Sequence, residues 1–495
     1  MHQQKKAYKQ NINLIKMKKL LLLTVVALGM LVTSCSKNED PDPIDDGGTG
    51  GAVVVSTDIT ASTTWTADKI YLLKNNVFVT NNAVLTIQPG TIIKGDKSTK
   101  GALIITRGAK IMAEGTAEKP IVFTSNVSVG GRDKGDWGGL VLLGKAPNNG
   151  GTSVSIEGVS DATDKAKHGG NEAADNSGIL KYVRIEYAGI SLGPDNEING
   201  LTLGSVGSGT VIDYVSVYRS GDDAFEFFGG TVNAKHLVSI ATWDDDLDTD
   251  NGYSGKIQFA VVQRLASTAD VSGSNAFESD NNSDGTPATP QTSAAFANIT
   301  VLGPKENSGF TAINANYQHG AQIRRNSAIS INNSVFAGYT EGVFYDDERP
   351  KAGGPNSSAA LVSGASVFIN NLLYGCNSRG NQIKAYTPGA LAIITPLLSA
   401  PINAYDPSLY AAAVYTDPYK FSPSVAPSAR AGVPNFTQIA GSPALTGAVW
   451  TDAKFNDAFF EKVAYKGAFG TTDWTQGWVS YNSEQLPYTT PGAVK

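Results

Sequence analysis

From residue 52 the chain alternates short β-branched or apolar runs with clusters of Gly, Asn and Asp. Examples are Val84-Leu85-Thr86-Ile87, Leu103-Ile104-Ile105-Thr106, Ile121-Val122-Phe123 and Leu140-Val141-Leu142-Leu143. Runs of this length bounded by turn residues predict β-strands, and no long helical period competes with them. They recur about every 17 to 20 residues, which points to stacked coils rather than hairpins. A single coil cannot enclose a core, so coils must stack with their strands in parallel.

The centre of the chain repeats more closely. An offset of 23 residues lays Gly221-Asp222-Asp223-Ala224-Phe225 over Asp244-Asp245-Asp246-Leu247-Asp248, and Leu237-Val238-Ser239 over Ala260-Val261-Val262. Asn275-Ala276-Phe277-Glu278-Ser279 repeats Asp223 to Phe227 at an offset of 52. Asn332-Asn333 and Asn370-Asn371 fall at equivalent bends, where stacked side-chain amides form ladders. The expected fold is all-β: a right-handed parallel β-helix over 52–385, followed by an irregular C-terminal capping segment, 386–495. A β-propeller is the alternative, but its blades need about 40 residues each.

The opening differs in texture. Met17-Lys18-Lys19 precedes an apolar run from Leu20 to Val32 that ends at Leu31-Val32-Thr33-Ser34-Cys35. Thirteen residues are too few for a membrane span, which takes roughly 20. Residues 1–34 therefore read as a secretion signal, with Met17 as the expected start. The Cys35 context resembles the lipobox of bacterial lipoproteins, a resemblance that implies acylation of Cys35 and membrane attachment through it. The acidic, Pro/Gly-rich stretch 35–51 reads as a flexible tether. It also resembles the export tag that sends Bacteroidota lipoproteins to the outer face of the outer membrane, toward the cell exterior.

The whole chain of 495 residues carries 39 Lys and Arg against 45 Asp and Glu. Residues 1–34 hold six lysines and no other charged side chain, so the remainder has a formal charge of −12. That balance disfavours nucleic acid as a partner. Two cysteines exclude a disulfide scaffold, and with Cys35 acylated Cys376 has no partner.

Thr86-Ile87-Gln88-Pro89-Gly90-Thr91, Thr106-Arg107-Gly108-Ala109-Lys110-Ile111 and Lys119-Pro120-Ile121-Val122-Phe123 resemble opening coils of pectate-lyase-type β-helix proteins. With Asp136-Trp137-Gly138-Gly139, Glu226-Phe227-Phe228-Gly229-Gly230 and Gly467-Ala468-Phe469-Gly470, the chain resembles secreted β-helix lipoproteins of Bacteroidota that have no settled activity.

Candidate chemistry centres on Asp244, Asp245, Asp246, Asp248 and Asp250. At the 23-residue offset Asp222 and Asp223 lie beside Asp245 and Asp246. Carboxylates about one strand apart need a cation, shared protons or basic partners. Asp246, Asp248 and Asp250 are candidate calcium ligands, since calcium takes six to eight oxygens with flexible geometry. Asp222, Asp223, Asp245 and Asp246 are candidate catalytic carboxylates. Gly221-Asp222-Asp223 resembles the Gly-Asp-Asp of glycoside hydrolase family 28, although that family's Gly-His-Gly and Arg-x-Lys motifs are absent from the following coils. Glu226 and Glu278 share a column facing solvent, and Arg324 and Arg325 offer cross-coil ion pairs. Trp474 and Trp478 are a candidate sugar-stacking platform. The expected function is a non-enzymatic binding or scaffold module for glycans or an outer-membrane partner. The alternative is a calcium-assisted polysaccharide lyase or hydrolase.

Overall fold

Each β-branched run becomes a short strand because its alternate residues have a core to enter, and each Gly, Asn or Asp cluster becomes a bend. The computed structural model describes residues 51–160, 163–193, 196–348, 356–420 and 432–495. Cys35, the signal and the tether up to residue 50 lie outside the described residues.

The described strands form a right-handed parallel β-helix with two main walls. The ten-stranded wall runs from Asn76–Val79 through Ala102–Ile105, Gly139–Leu143, Leu201–Gly204, Phe225–Phe228, Leu247–Asp250, Phe277–Ser279, His319–Arg324 and Glu341–Asp346 to Ile383–Ala385. The second is a seventeen-stranded sheet that folds around the remaining sides of the coil. Val77, Leu103, Leu140, Leu201, Phe225, Leu247 and Phe277 lie in register on the ten-stranded wall and are buried in one continuous core.

The coil repeat is not constant. On the second wall Leu237 pairs with Ala260, an offset of 23, as the sequence predicts. On the ten-stranded wall Phe225 pairs with Leu247, an offset of 22. The extra residue is taken up at the bends. The predicted neighbours shift accordingly: Glu226, not Phe225, lies beside Asp248.

The long strands Gly178–Glu186, Val211–Tyr218, Asn233–Ile240, Lys256–Gln263 and Ala295–Leu302 bend at one left-handed residue each: Tyr182, Tyr214, His236, Phe259 and Asn298, with φ of 50°, 55°, 52°, 60° and 54°. Bulky residues rarely adopt that conformation. Stacking offsets its cost here. Tyr182 on Tyr214, Tyr214 on His236 and His236 on Phe259 have ring centroids 4.4, 4.1 and 5.3 Å apart. Asparagine continues the column at Asn298, Asn333 and Asn370. The expected amide ladder is present: Asn370 Nδ2 donates to Asn333 Oδ1 at 2.6 Å, and the Asn371 backbone N–H donates to Asn403 Oδ1 at 2.9 Å.

Beyond 385 the chain does two things. The helix Pro388–Leu398, capped by Thr387, places Ile394 and Leu398 over the end of the core. The strand Ala404–Asp406 adds one more rung beside Leu372–Tyr374. The remainder then runs back along the flank of the seventeen-stranded sheet. Asn370 donates to Gly447 O, Asn298 to Tyr465 O, Gln258 to Glu461 O, and Arg184 to the Tyr488 hydroxyl and Val494 O. An end cap was expected of the whole of 386–495; most of it instead roofs a side wall, while the outer face of the first strands of the ten-stranded wall is covered by Ile156, Val159, Ala166 and Ile198.

Candidate functional site

The outer face of the ten-stranded wall carries the acidic side chains. Strand alternation turns Phe225, Leu247 and Phe277 inward, so their neighbours Glu226, Asp248 and Glu278 point outward in one column. Thr202 and Gln322 bound this column. Two residues on, Phe228, Asp250 and Asp280 form a second column that meets Arg324. Neighbouring strands stand about 4.8 Å apart, so these carboxylates stack at close range.

A third column lies at the bend before the strands and uses its side chains differently. The backbone N–H of Asp223 donates to Asn199 Oδ1 at 3.1 Å, that of Asp245 to Asp223 Oδ1 at 2.8 Å, that of Asn275 to Asp245 Oδ1, and that of His319 to Asn275 Oδ1 at 3.0 Å. Each bend leaves an N–H without a strand partner, and the preceding coil's Asx side chain accepts it. Asp223 and Asp245 thus each commit one oxygen to the fold.

The electrostatics are unbalanced. Arg324 pairs with Glu278 and, at 2.8 Å, with Asp280, while Arg325 also pairs with Asp280. Among the described residues the Glu226 carboxylate accepts only from Asn199 Nδ2. Asp248, at the centre, has a side-chain Oδ1 that is shielded from solvent and has no hydrogen-bond donor among the described residues. Burial pushes Asp222, Asp223, Glu226, Asp245 and Asp248 far above the carboxylate range, and neighbouring carboxylates push them further. Burial raises Asp250 to about 8 and Glu278 to about 7, with Arg324 pulling both back.

The carboxylate oxygens of Asp223, Glu226 and Asp248 lie within 4.8 Å of one another, as do those of Asp222, Asp223 and Asp244. The first trio fits a hard divalent cation: it offers three carboxylates, and one of its oxygens is shielded and lacks any donor. Calcium's remaining positions would fall to water or ligand.

Of the sequence candidates for calcium, Asp248 and Asp250 face this cluster and Asp246 does not. The chain bends at Asp246 and breaks the alternation that would have grouped the even-numbered aspartates. Its carboxylate is fully buried, 3.0 Å from Arg264 Nη1 and 2.5 Å from Ser239 Oγ. Asp246 is therefore corrected to a structural ion-pair member, neither a calcium ligand nor a catalytic group. The 22-residue register places Asp223 rather than Asp222 beside Asp245. Glu226 does not lie open to solvent as expected; it is buried within the cluster.

Trp474 and Trp478 are also corrected. Trp478 is 1% exposed, and both indoles pack edge-on against the aromatic column, at 5.0 Å for Trp474 on His236 and 5.7 Å for Trp478 on Tyr182. Neither offers a platform to a sugar. Cys376 is buried. His319 Nε2 is 2.8 Å from Glu341 and His236 Nδ1 is 2.7 Å from Asp213, so both histidines sit in local ion-pair or hydrogen-bond contacts.

Sequence reasoning missed Glu226 and Glu278 as cluster members, and missed Trp243. A 22-residue offset applied to the strands alone would have brought Glu226 to Asp248.

The description "Pectate-lyase like beta helix domain" matches residues 57–385. No curated protein matches the chain. The crystal structure of Dettilon tailspike protein is similar at 10% identity and a TM-score of 0.28, over 67% of this chain. The match spans 63% of the tailspike chain, less than two thirds of its length. With its family match running from the first coils to the last strand of the ten-stranded wall, the chain belongs to the pectate-lyase-like β-helix domain family.

Proposed function

We propose that this protein is a lipid-anchored β-helix of the outer membrane, facing the cell exterior, that binds polysaccharide across its acidic wall with the help of calcium and does not cleave it. The observation that carries this reading is the trio Asp223, Glu226 and Asp248, whose oxygens crowd within 4.8 Å with an unpartnered, shielded Asp248 Oδ1 among them. Such a cluster is costly as bare anions and becomes favourable around a divalent ion. An ion there presents open coordination positions to the hydroxyl or carboxylate oxygens of a glycan. The lipobox-like Cys35 context supports the anchor, and the acidic tether supports export. An outer-membrane protein is the other partner the scaffold would suit.

A cleaving reading has one specific support. Glu226 and Glu278 are two strands apart in one column, about 9.6 Å at the backbone, close to the carboxylate separation of inverting hydrolases. Glu278, raised to about 7, would then hold the acid's proton.

The test is a glycan array on the full chain, with calcium and with chelator, coupled to reducing-sugar and unsaturated-product assays. Calcium-dependent binding without product supports the binding module. Product formation lost in Glu278→Gln supports the hydrolase. Absence of any calcium-dependent glycan binding overturns the reading.

A further inference from the structure

Beside the acidic columns, where the chain enters the same wall, lies a cavity of about 220 Å³ lined by Asp222, Trp243, Asp244, Asp270, Glu197 and Ser272. Its polar groups are not equally free. Asp270 accepts from Trp243 Nε1 at 2.5 Å and from Ser272 Oγ at 2.6 Å. The same Ser272 hydroxyl lies 2.9 Å from Asp244 Oδ2, so its single proton is shared between the two carboxylates. Asp244 Oδ1 is shielded from solvent and has no donor. Asp222 stands close enough to share a ligand with it. The Trp243 ring already attracts a cation, since the Lys134 ammonium stands 3.7 Å from its centroid.

Asp222, whose carboxylate has no donor among the described residues, and Asp244, which accepts only through Oδ2, stand beside an indole and form a receptor for an ammonium group. An ammonium brings three N–H donors to the carboxylates and favours an aromatic face. Calcium prefers six to eight oxygens and gains nothing from an indole. We propose that this cavity binds the protonated amine of an amino sugar, so that the polysaccharide of the acidic wall contains unacetylated hexosamine. A sugar is favoured over a basic peptide because its C–H face can lie on Trp243 and its neighbours in the chain can continue over the adjoining wall. This inference rests on the reading of that wall as a polysaccharide site.

The test compares β-1,4-linked glucosamine and N-acetylglucosamine hexamers by calorimetric titration of the full-length protein, at a pH where the free amine is protonated. The glucosamine hexamer should bind at least tenfold more tightly, and added salt should weaken it. Asp222→Asn and Asp244→Asn should each cost about tenfold for glucosamine and leave the acetylated hexamer unchanged, with unaltered melting cooperativity as the folding control. Equal binding of the two hexamers, wild-type affinity in both variants, or a preference for hexalysine would overturn the proposal. The two claims fail separately. Calcium-dependent binding of a different glycan would refute the amino-sugar inference and keep the wall as a polysaccharide site. Glucosamine binding that ignores calcium would keep the cavity and refute the calcium reading.

Discussion

Replacing Asp250 by asparagine should stabilise the protein in the presence of a chelator, because the native fold holds this carboxyl in a place hostile to its charge. Burial raises its pKa from 3.8 to about 8, Asp280 adds to the effect, and Arg324 and Arg325 only partly oppose it. A carboxyl whose folded pKa lies above its unfolded value binds its proton more tightly when folded. Its contribution to stability is therefore neutral below about pH 4 and increasingly unfavourable up to about pH 8. From that shift the penalty is at most about 1.7 kcal/mol at pH 5 and about 4.3 kcal/mol at pH 7. Counter-ions and rearranged neighbours absorb part of it, so a gain of about 2 kcal/mol at pH 7 is expected. Asparagine keeps an oxygen for the Asn251 backbone N–H, which donates to Asp250 Oδ1 at 2.5 Å. With an unfolding entropy near 1 kcal/mol per kelvin for a chain of this length, the melting temperature should rise by about 2 °C at pH 7, and by less at pH 5. Differential scanning calorimetry across that pH range is the assay. A loss of stability, or a gain larger at pH 5 than at pH 7, would refute the argument that the acidic columns are frustrated.

Other consequences follow from neighbouring groups. Asp246→Asn leaves the fully buried Arg264 guanidinium without its counter-charge and should destabilise by about 3–5 kcal/mol, read as a lower melting temperature. Burial pushes the Cys376 thiol up to about 12, so mapped alkylation should label it only after denaturation. Cys35→Ala should abolish lipid labelling and release the protein from the membrane fraction; unchanged labelling would remove the anchor from the account.

The coil architecture was legible because strand alternation is a local property. Val84–Ile87, Ala102–Ile105 and Gly139–Leu143 are strands where β-branched runs predict them. The register was legible only in part. Offsets of 22 on one wall and 23 on the other arise from bends whose length no periodicity reports, and one residue decides which carboxylates touch. Asp246 was misplaced for a related reason: parity holds along a strand, but the strand begins at Leu247. Trp474 and Trp478 looked like exposed aromatics because nothing local shows that their segment folds back over a column of rings. The sequence does contain that column, Tyr182, Tyr214, His236 and Phe259, but a bulky residue in a left-handed bend leaves no propensity signal. The acidic cluster itself was visible as composition, while the feature that makes it a candidate ion site, an unpartnered Asp248 oxygen, exists only after folding.

The central claim is that the acidic wall is completed by a divalent cation. The direct measurement is the melting temperature of the full chain in millimolar calcium against chelator, at matched ionic strength, for the wild type and for the double variant Glu226→Gln, Asp248→Asn. An ion bound only to the folded state at a hundredfold excess over its Kd contributes about 2.7 kcal/mol. The account predicts a rise of about 2–3 °C in the wild type, specific to calcium over sodium, that disappears in the double variant. A rise reproduced by sodium chloride alone, or retained in full by the double variant, would contradict it.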